Sequence, residues 1–148
     1  MSYGVHEEVR TAFRGTLSWY GRHARCGDEA IKKQAKVAVF GDSIVFNLGR
    51  FPTVCDHFLG DVINCGIPGD RIQNVLWRVG NGVHLPPTVD TCIVHCGIND
   101  ILGSKGTAFE PRDIAEQVIS IGLKLSLRYP RMSIIFMGIL PVFDFSYL

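Results

Sequence analysis

The sequence has little charge of either sign to spare. Its 15 Lys and Arg stand against 14 Asp and Glu, a formal net charge of +1 over 148 residues, and the basic residues are scattered rather than clustered. That excludes the electrostatic footprint of a nucleic-acid binder or of a protein held on an anionic membrane surface. No apolar run approaches the roughly 20 residues needed to cross a bilayer, so no membrane span is expected. No N-terminal apolar run reads as a signal peptide. Repeats and low-complexity tracts are absent. Position 45 is Val, so there is no G-x-S-x-G nucleophile elbow. Gly66-x-x-Gly69 is neither a P-loop nor a dinucleotide fingerprint, which disfavours nucleotide binding.

A recognisable cysteine framework is also lacking. Cys26, Cys55, Cys65, Cys92 and Cys96 make an odd count. Their spacing matches no disulfide framework, and they read as reduced thiols of a cytoplasmic protein. Cys92, His95 and Cys96 fall on one expected strand, where His95 faces away from both cysteines. No second Cys/His pair completes a tetrahedral site, so neither a metal nor another cofactor is expected.

What is present is an apolar fraction of 47%, enough for a packed core, in a length that suits one domain. Short apolar runs alternate with helical patterns. A helix is expected from about Glu7 to Arg25, followed by a turn at Gly27-Asp28 and a polar lead-in from Lys32 to Lys36. The five residues Lys36 to Phe40 read as a buried strand, Asp61 to Asn64 as a second, Thr91 to Cys96 as a third and Ser133 to Met137 as a fourth. Between them, a short helix follows Ser43, and a second is expected from Thr53 to Leu59. Ile72, Val75, Leu76 and Val79 repeat at i, i+3, i+4, i+7, and Ile114, Val118, Ile121 and Leu125 form another stripe after Pro111. Strands that are apolar throughout and alternate with helices predict a parallel sheet covered on both faces. Right-handed crossovers then bring the carboxyl ends of all strands to one rim.

Three polar motifs gather on that rim. Ser43 follows the first strand, Gly69 the second and Asn99 the third. In open α/β sheets this rim is where ligands bind. Ser43 stands where a strand ends and a helix begins. It reads either as a nucleophile or as a helix cap, and the convergence of three motifs favours catalysis. Asp42, Asp70 and Asp100 are expected to hold their own loops through backbone hydrogen bonds. The five histidines, His6, His23, His57, His84 and His95, are expected at surface or packing positions.

Gly41-Asp42-Ser43, the block Asn64-Cys-Gly-Ile-Pro-Gly69-Asp70 and Gly97-Ile-Asn99-Asp100 together resemble the first three sequence blocks of the SGNH (GDSL-type) ester hydrolases. The resemblance extends to the catalytic subunits of the intracellular platelet-activating-factor acetylhydrolases. It includes Trp19 and His23, Val75-Leu-Trp-Arg78 and Ile139-Leu-Pro141, and runs from about Trp19 to Pro141. It implies a flavodoxin-like three-layer fold with strand order 2-1-3-4 and helices on both faces. It also implies Ser43 as the nucleophile. The Ser43 and Gly69 N–H groups and the Asn99 amide would be the oxyanion donors, with a small acyl ester as substrate, an acetyl-phospholipid among the candidates, and a homodimer as the assembly.

The family places its general base in an Asp-x-x-His motif after a fifth strand. This sequence has no such motif: Asp144-Phe-Ser-Tyr147 ends in Tyr, and none of the histidines follows the fourth strand. The expectation is therefore one domain over residues 1–148, truncated on its C-terminal side, with the fifth strand missing and Phe143, Phe145, Tyr147 and Leu148 left as an apolar end. Two readings follow. One is a serine ester hydrolase impaired in this short chain. The other is a catalytically inactive binding or dimerisation subunit on the same fold.

Overall fold

The structure, a computed structural model, describes residues 16–51, 61–81, 84–102 and 110–139. The helix expected over 53–59, Cys55, His6, His57 and the apolar segment from Leu140 onward lie outside these residues. The chain runs α1 (Thr16–Lys33), β1 (Val37–Gly41), α2 (Ser43–Leu48), β2 (Val62–Gly66), α3 (Ile72–Gly80), β3 (Thr91–His95), α4 (Ile98–Leu102), α5 (Pro111–Arg128) and β4 (Ser133–Phe136).

The four strands form one sheet in the order β2-β1-β3-β4, every pair parallel. The expected flavodoxin-like α/β architecture and strand order are borne out. Gly41, the last residue of β1, is level with Gly66 of β2 and His95 of β3, so three strands finish on one line. The chain leaves β1 outward to β2 and then crosses back to β3. The topological switch point therefore lies between β1 and β3, where ligand crevices form in such sheets.

One sheet face carries the main core. Ala38, Phe40, Ile63, Cys65, Cys92 and Val94 pack there against Cys26 and Ala30 of α1, Val75 and Val79 of α3, and Ile121 and Leu125 of α5. Helix α2 lies on the other face, where the side chain of Asn64 donates to the Val45 carbonyl at 2.6 Å. Strand β4 is one of the two edges, and its Ile135 and Phe136 are exposed.

Two expectations are corrected here. Helix α1 does not stop at Arg25. It runs through Gly27 and Asp28 to Lys33. Cys26 and Ala30, one turn apart, are buried in the core, and that burial outweighs the roughly 1 kcal/mol helix penalty of a glycine. Lys32 and Lys33 fill the last turn, where cations suit the helix dipole. Nor are all the cysteines reduced. Cys26 of α1 and Cys65 of β2 form a disulfide with their Cα atoms 5.5 Å apart. The pairing is tertiary, a helix laid along an edge strand across 39 residues of sequence, and spacing alone does not encode it. Cys92 and Cys96 are free, buried thiols, and burial pushes both up to about 12.

Candidate active site

Ser43 begins α2, two residues past the end of β1, and is half-buried. Asp42 caps the helix: its Oδ1 accepts from the Ile44 N–H at 2.8 Å. The close seat of α2 on the sheet depends on Gly66, where a Cβ would strike the backbone of Phe46, with the Phe46 Cα only 2.8 Å away. Asn64 then clamps the two together. Its amide nitrogen holds the Val45 carbonyl while its oxygen accepts from the Gly66 N–H at 2.9 Å. Ile67 N–H adds a bond to the Gly41 carbonyl at 3.0 Å. The first and second motif blocks are thus tied to each other around Ser43.

The second and third blocks are tied in the same way. Gly69 has φ +82°, a left-handed conformation that favours glycine, and so turns the loop back toward α3. Asn99 lies on the short helix α4, and its amide Nδ2 donates to the Asp70 carbonyl at 2.8 Å. That uses one of the two amide hydrogens. Asp100 Oδ2 accepts from the Ile72 N–H at 3.0 Å. Ser43, Gly69 and Asn99 therefore all lie past the carboxyl ends of neighbouring parallel strands, and Asn99 touches the residue after Gly69 directly.

Asp70 does not hold its own loop through its carboxylate, as the sequence reading had it. Its Oδ1 accepts from the indole Nε1 of Trp19 at 2.7 Å and its Oδ2 pairs with Arg78 Nη1 at 2.8 Å. Arg78 Nη2 reaches on to the Cys65 carbonyl at 2.6 Å. Both members of the ion pair have fully buried side chains. Burial raises Asp70 to about 6 and lowers Arg78, and each is pulled back by the other. Asp100 does not hold its own loop either, since its partner is 28 residues away. Asp42 does. Burial raises both of these carboxyls, with their backbone hydrogen bonds opposing the shift.

Sequence reading singled out Trp19 and Arg78 only as parts of a resemblance. A physical signal was available: Arg78 follows Val75 by three residues on the buried stripe of α3, and a cation there requires a buried partner.

No histidine is hydrogen-bonded to Ser43 among the described residues. His23 Nε2 pairs with the Asn81 carbonyl and its ring stacks on Trp19, a packing role. His84 pairs with Arg128. His95 is buried at the end of β3 with neither ring nitrogen hydrogen-bonded, and Asp42 Oδ2 is likewise unpaired. Among the described residues no group of His, Cys, Asp and Glu is placed to hold a metal ion. No helix of the described chain is long and apolar enough to cross a membrane.

Comparison with known proteins agrees with the motif blocks. The human platelet-activating factor acetylhydrolase IB subunit alpha2 is 29% identical over 131 residues, covering 86% of this chain and 54% of that protein. The rat subunit alpha1 is 28% identical over 131 residues, covering 86% and 53%. The chain's homologues are platelet-activating factor acetylhydrolase IB subunits. The chain spans about half the length of these acetylhydrolase subunits. No family model matches it. A solved structure from Streptococcus pneumonia superposes with a TM-score of 0.63 at 17% identity, covering 88% of this chain and 60% of that one. A member of the lipolytic protein G-D-S-L family from Veillonella parvula superposes with a TM-score of 0.51 at 23% identity, covering 68% and 56%. These two share the fold. Together with the acetylhydrolase subunits they bear out the resemblance to the SGNH hydrolases read from the three blocks.

Proposed function

We propose that this chain carries the nucleophile half of an SGNH-type serine ester hydrolase that cleaves small acyl esters through an acyl-serine intermediate. Ser43 attacks the ester carbonyl. The N–H groups of Ser43 and Gly69 and the amide of Asn99 receive the negative charge that develops on the carbonyl oxygen. The observation that carries this reading is the hydrogen bond from Asn99 to the carbonyl of Asp70, which joins α4 to the Gly69 loop at the sheet rim where Ser43 begins its helix. A preorganised donor of this kind is worth about 2.7–4 kcal/mol of transition-state stabilisation. An acetyl-phospholipid is the substrate suggested by the homologues' names, and a homodimer in the cytoplasm is the assembly and location we assign on the same resemblance. The Cys26–Cys65 disulfide removes the thiol argument for that location.

A serine hydroxyl needs a base, and the described histidines supply none. We therefore assign the 148-residue chain little turnover by itself. In the studied serine protease, losing the base lowers turnover by on the order of a millionfold. The second reading, a binding or dimerisation subunit, rests on the same observation. Hydrolysis of p-nitrophenyl acetate by the purified chain and its Ser43→Ala variant, beside a chain extended by the downstream coding sequence, separates the two. Ser43-dependent turnover in the extended chain supports the hydrolase. Inactivity in both leaves the binding subunit.

A further inference from the structure

A cleft of about 360 Å³ opens between α1, the end of α2 and the edge strand β2. That volume lies within the range of small-ligand pockets, roughly 300–1,000 Å³. Three arginines line it, Arg22 and Arg25 from α1 and Arg50 from the end of α2, against one carboxylate, Glu29. The whole chain has a net charge of only +1, so this is a local concentration of positive charge. None of the three arginines is in an ion pair among the described residues, where the pairs are Arg78–Asp70 and Arg112–Glu116.

The guanidinium groups are also partly preoriented. Arg22 lies over the ring of Phe46, 4.5 Å from its centroid, a contact that restrains the guanidinium at the cleft wall. Arg25 donates Nε to the Gly21 carbonyl at 3.1 Å, and among the described residues its two terminal nitrogens have no partner. The Cys26–Cys65 disulfide fixes the α1 wall to the β2 floor, both residues lining the cleft. Guanidinium forks match phosphate oxygens two at a time, and a phosphomonoester carries about −1.5 to −2 at neutral pH.

We propose that this cleft binds a phosphomonoester group, held by Arg22, Arg25 and Arg50. The group has two sources, a soluble phosphomonoester or a lipid headgroup, and two titrations of the intact chain tell them apart. One measures heat on addition of glycerol 3-phosphate. The other measures co-sedimentation with phosphatidylcholine vesicles made with and without phosphatidic acid. Binding in the first arm, weakened roughly tenfold or more in Arg22→Gln/Arg50→Gln, identifies a soluble ligand. Phosphatidic-acid-dependent binding in the second arm alone, lost in the same variant, identifies a headgroup. Either result supports the site. Arg112→Gln, which removes an exposed arginine from α5, serves as the charge control and is expected to bind as the parent does. The proposal is overturned if neither arm shows binding, or if Arg112→Gln weakens binding as much as the double variant. All three cleft arginines are exposed, so the variants are expected to fold, and matching thermal melts confirm it. Ser43→Ala leaves this binding unchanged, which separates failure of the cleft from failure of the hydrolase reading.

Discussion

Asp70 and Arg78 meet at 2.8 Å with both side chains fully buried, eight residues apart and directly behind the loop that carries Gly69. The pair joins three parts of the molecule: α1 through Trp19, the α3 stripe through Arg78, and the end of β2 through the Cys65 carbonyl. Breaking such a pair from one side strands a charge in the core. Arg78→Met is therefore expected to destabilise the chain by about 3–5 kcal/mol. Asp70→Asn/Arg78→Met is expected to recover part of that loss, because no unpaired ion remains. Urea unfolding of the parent, the two single variants and the double variant checks this. Additive losses would show that the two residues do not act as a pair.

The same aspartate gives a pH signature. Burial raises its folded-state value to about 6, above the ordinary 3.8, despite the opposing pull of Arg78. The folded chain then holds this proton more tightly than the unfolded chain. The contribution to stability is fully present below the unfolded value and is lost as pH rises through about 6. Unfolding free energies of the parent, measured from pH 4 to pH 7 and compared with Asp70→Asn, are expected to differ by an amount that shrinks for the parent over that window. Asp42 and Asp100 shift the same way and His23 the opposite way, and all three remain in both proteins, so the difference between the two curves isolates chiefly Asp70. Parallel curves for the two proteins would contradict the raised value.

Much of this architecture was legible in the sequence because it is local. Each strand is a short apolar run, each helix a periodic stripe, and alternation of the two leaves few topologies. The placement of Ser43, Gly69 and Asn99 past the strand ends was legible for the same reason, since each follows its strand by a few residues. The contacts that hold the rim together were not. Trp19 and Asp70 are 51 residues apart, and Cys26 and Cys65 are 39 apart. Such pairs depend on where α1 docks, and neither propensity nor spacing encodes that docking. The end of α1 was missed for the same reason: burial of Ala30 decides it, not the glycine at 27.

Thiol chemistry follows from the corrected pairing. Cys92 and Cys96 are buried and held as neutral thiols, so iodoacetamide at pH 8 is expected to leave them unmodified in the native chain. Unfolding in guanidinium without reductant exposes both. Cys26 and Cys65 are expected to label only after reduction. Peptide mass spectrometry of the three samples reads each site separately. Labelling of Cys26 and Cys65 in the unreduced, unfolded sample would place them back among the free thiols.

Gly66 tests how α2 is seated. A methyl group there meets the backbone of Phe46, which cannot swing away as a flexible side chain would. Gly66→Ala is expected to cost about 1–3 kcal/mol, as overpacking does. It is also expected to loosen the bond that Asn64 donates to the Val45 carbonyl and the one it accepts from the Gly66 N–H, which fix the helix bearing Ser43. Thermal denaturation checks the first effect. Faster hydrogen exchange of the α2 amides, with the α5 amides unchanged, checks the second.

The pH dependence of Ser43 acylation tells whether a histidine serves it as a base. An imidazole base gives a rate that climbs with the loss of its proton near pH 6.5 and then levels off. Among the described residues no histidine is hydrogen-bonded to Ser43, so the route to the alkoxide that these residues leave is removal of the hydroxyl proton by solvent hydroxide. The Ser43-dependent acylation by p-nitrophenyl acetate, taken as parent minus Ser43→Ala, is then expected to rise with pH through 9 with no plateau near 7. The donors still act on the carbonyl oxygen, because they need no base. Asn99→Ala is therefore expected to lower the residual rate by about 10²–10³ without changing the shape of the profile. Substitution of Asn99 also frees the Asp70 carbonyl, so a circular dichroism spectrum and a melting curve must first show the variant folded. A plateau with an inflection near 6.5 would mean that a histidine of this chain, or of a second copy, serves as the base. In that case His95→Gln and His57→Gln, assayed in turn, identify it.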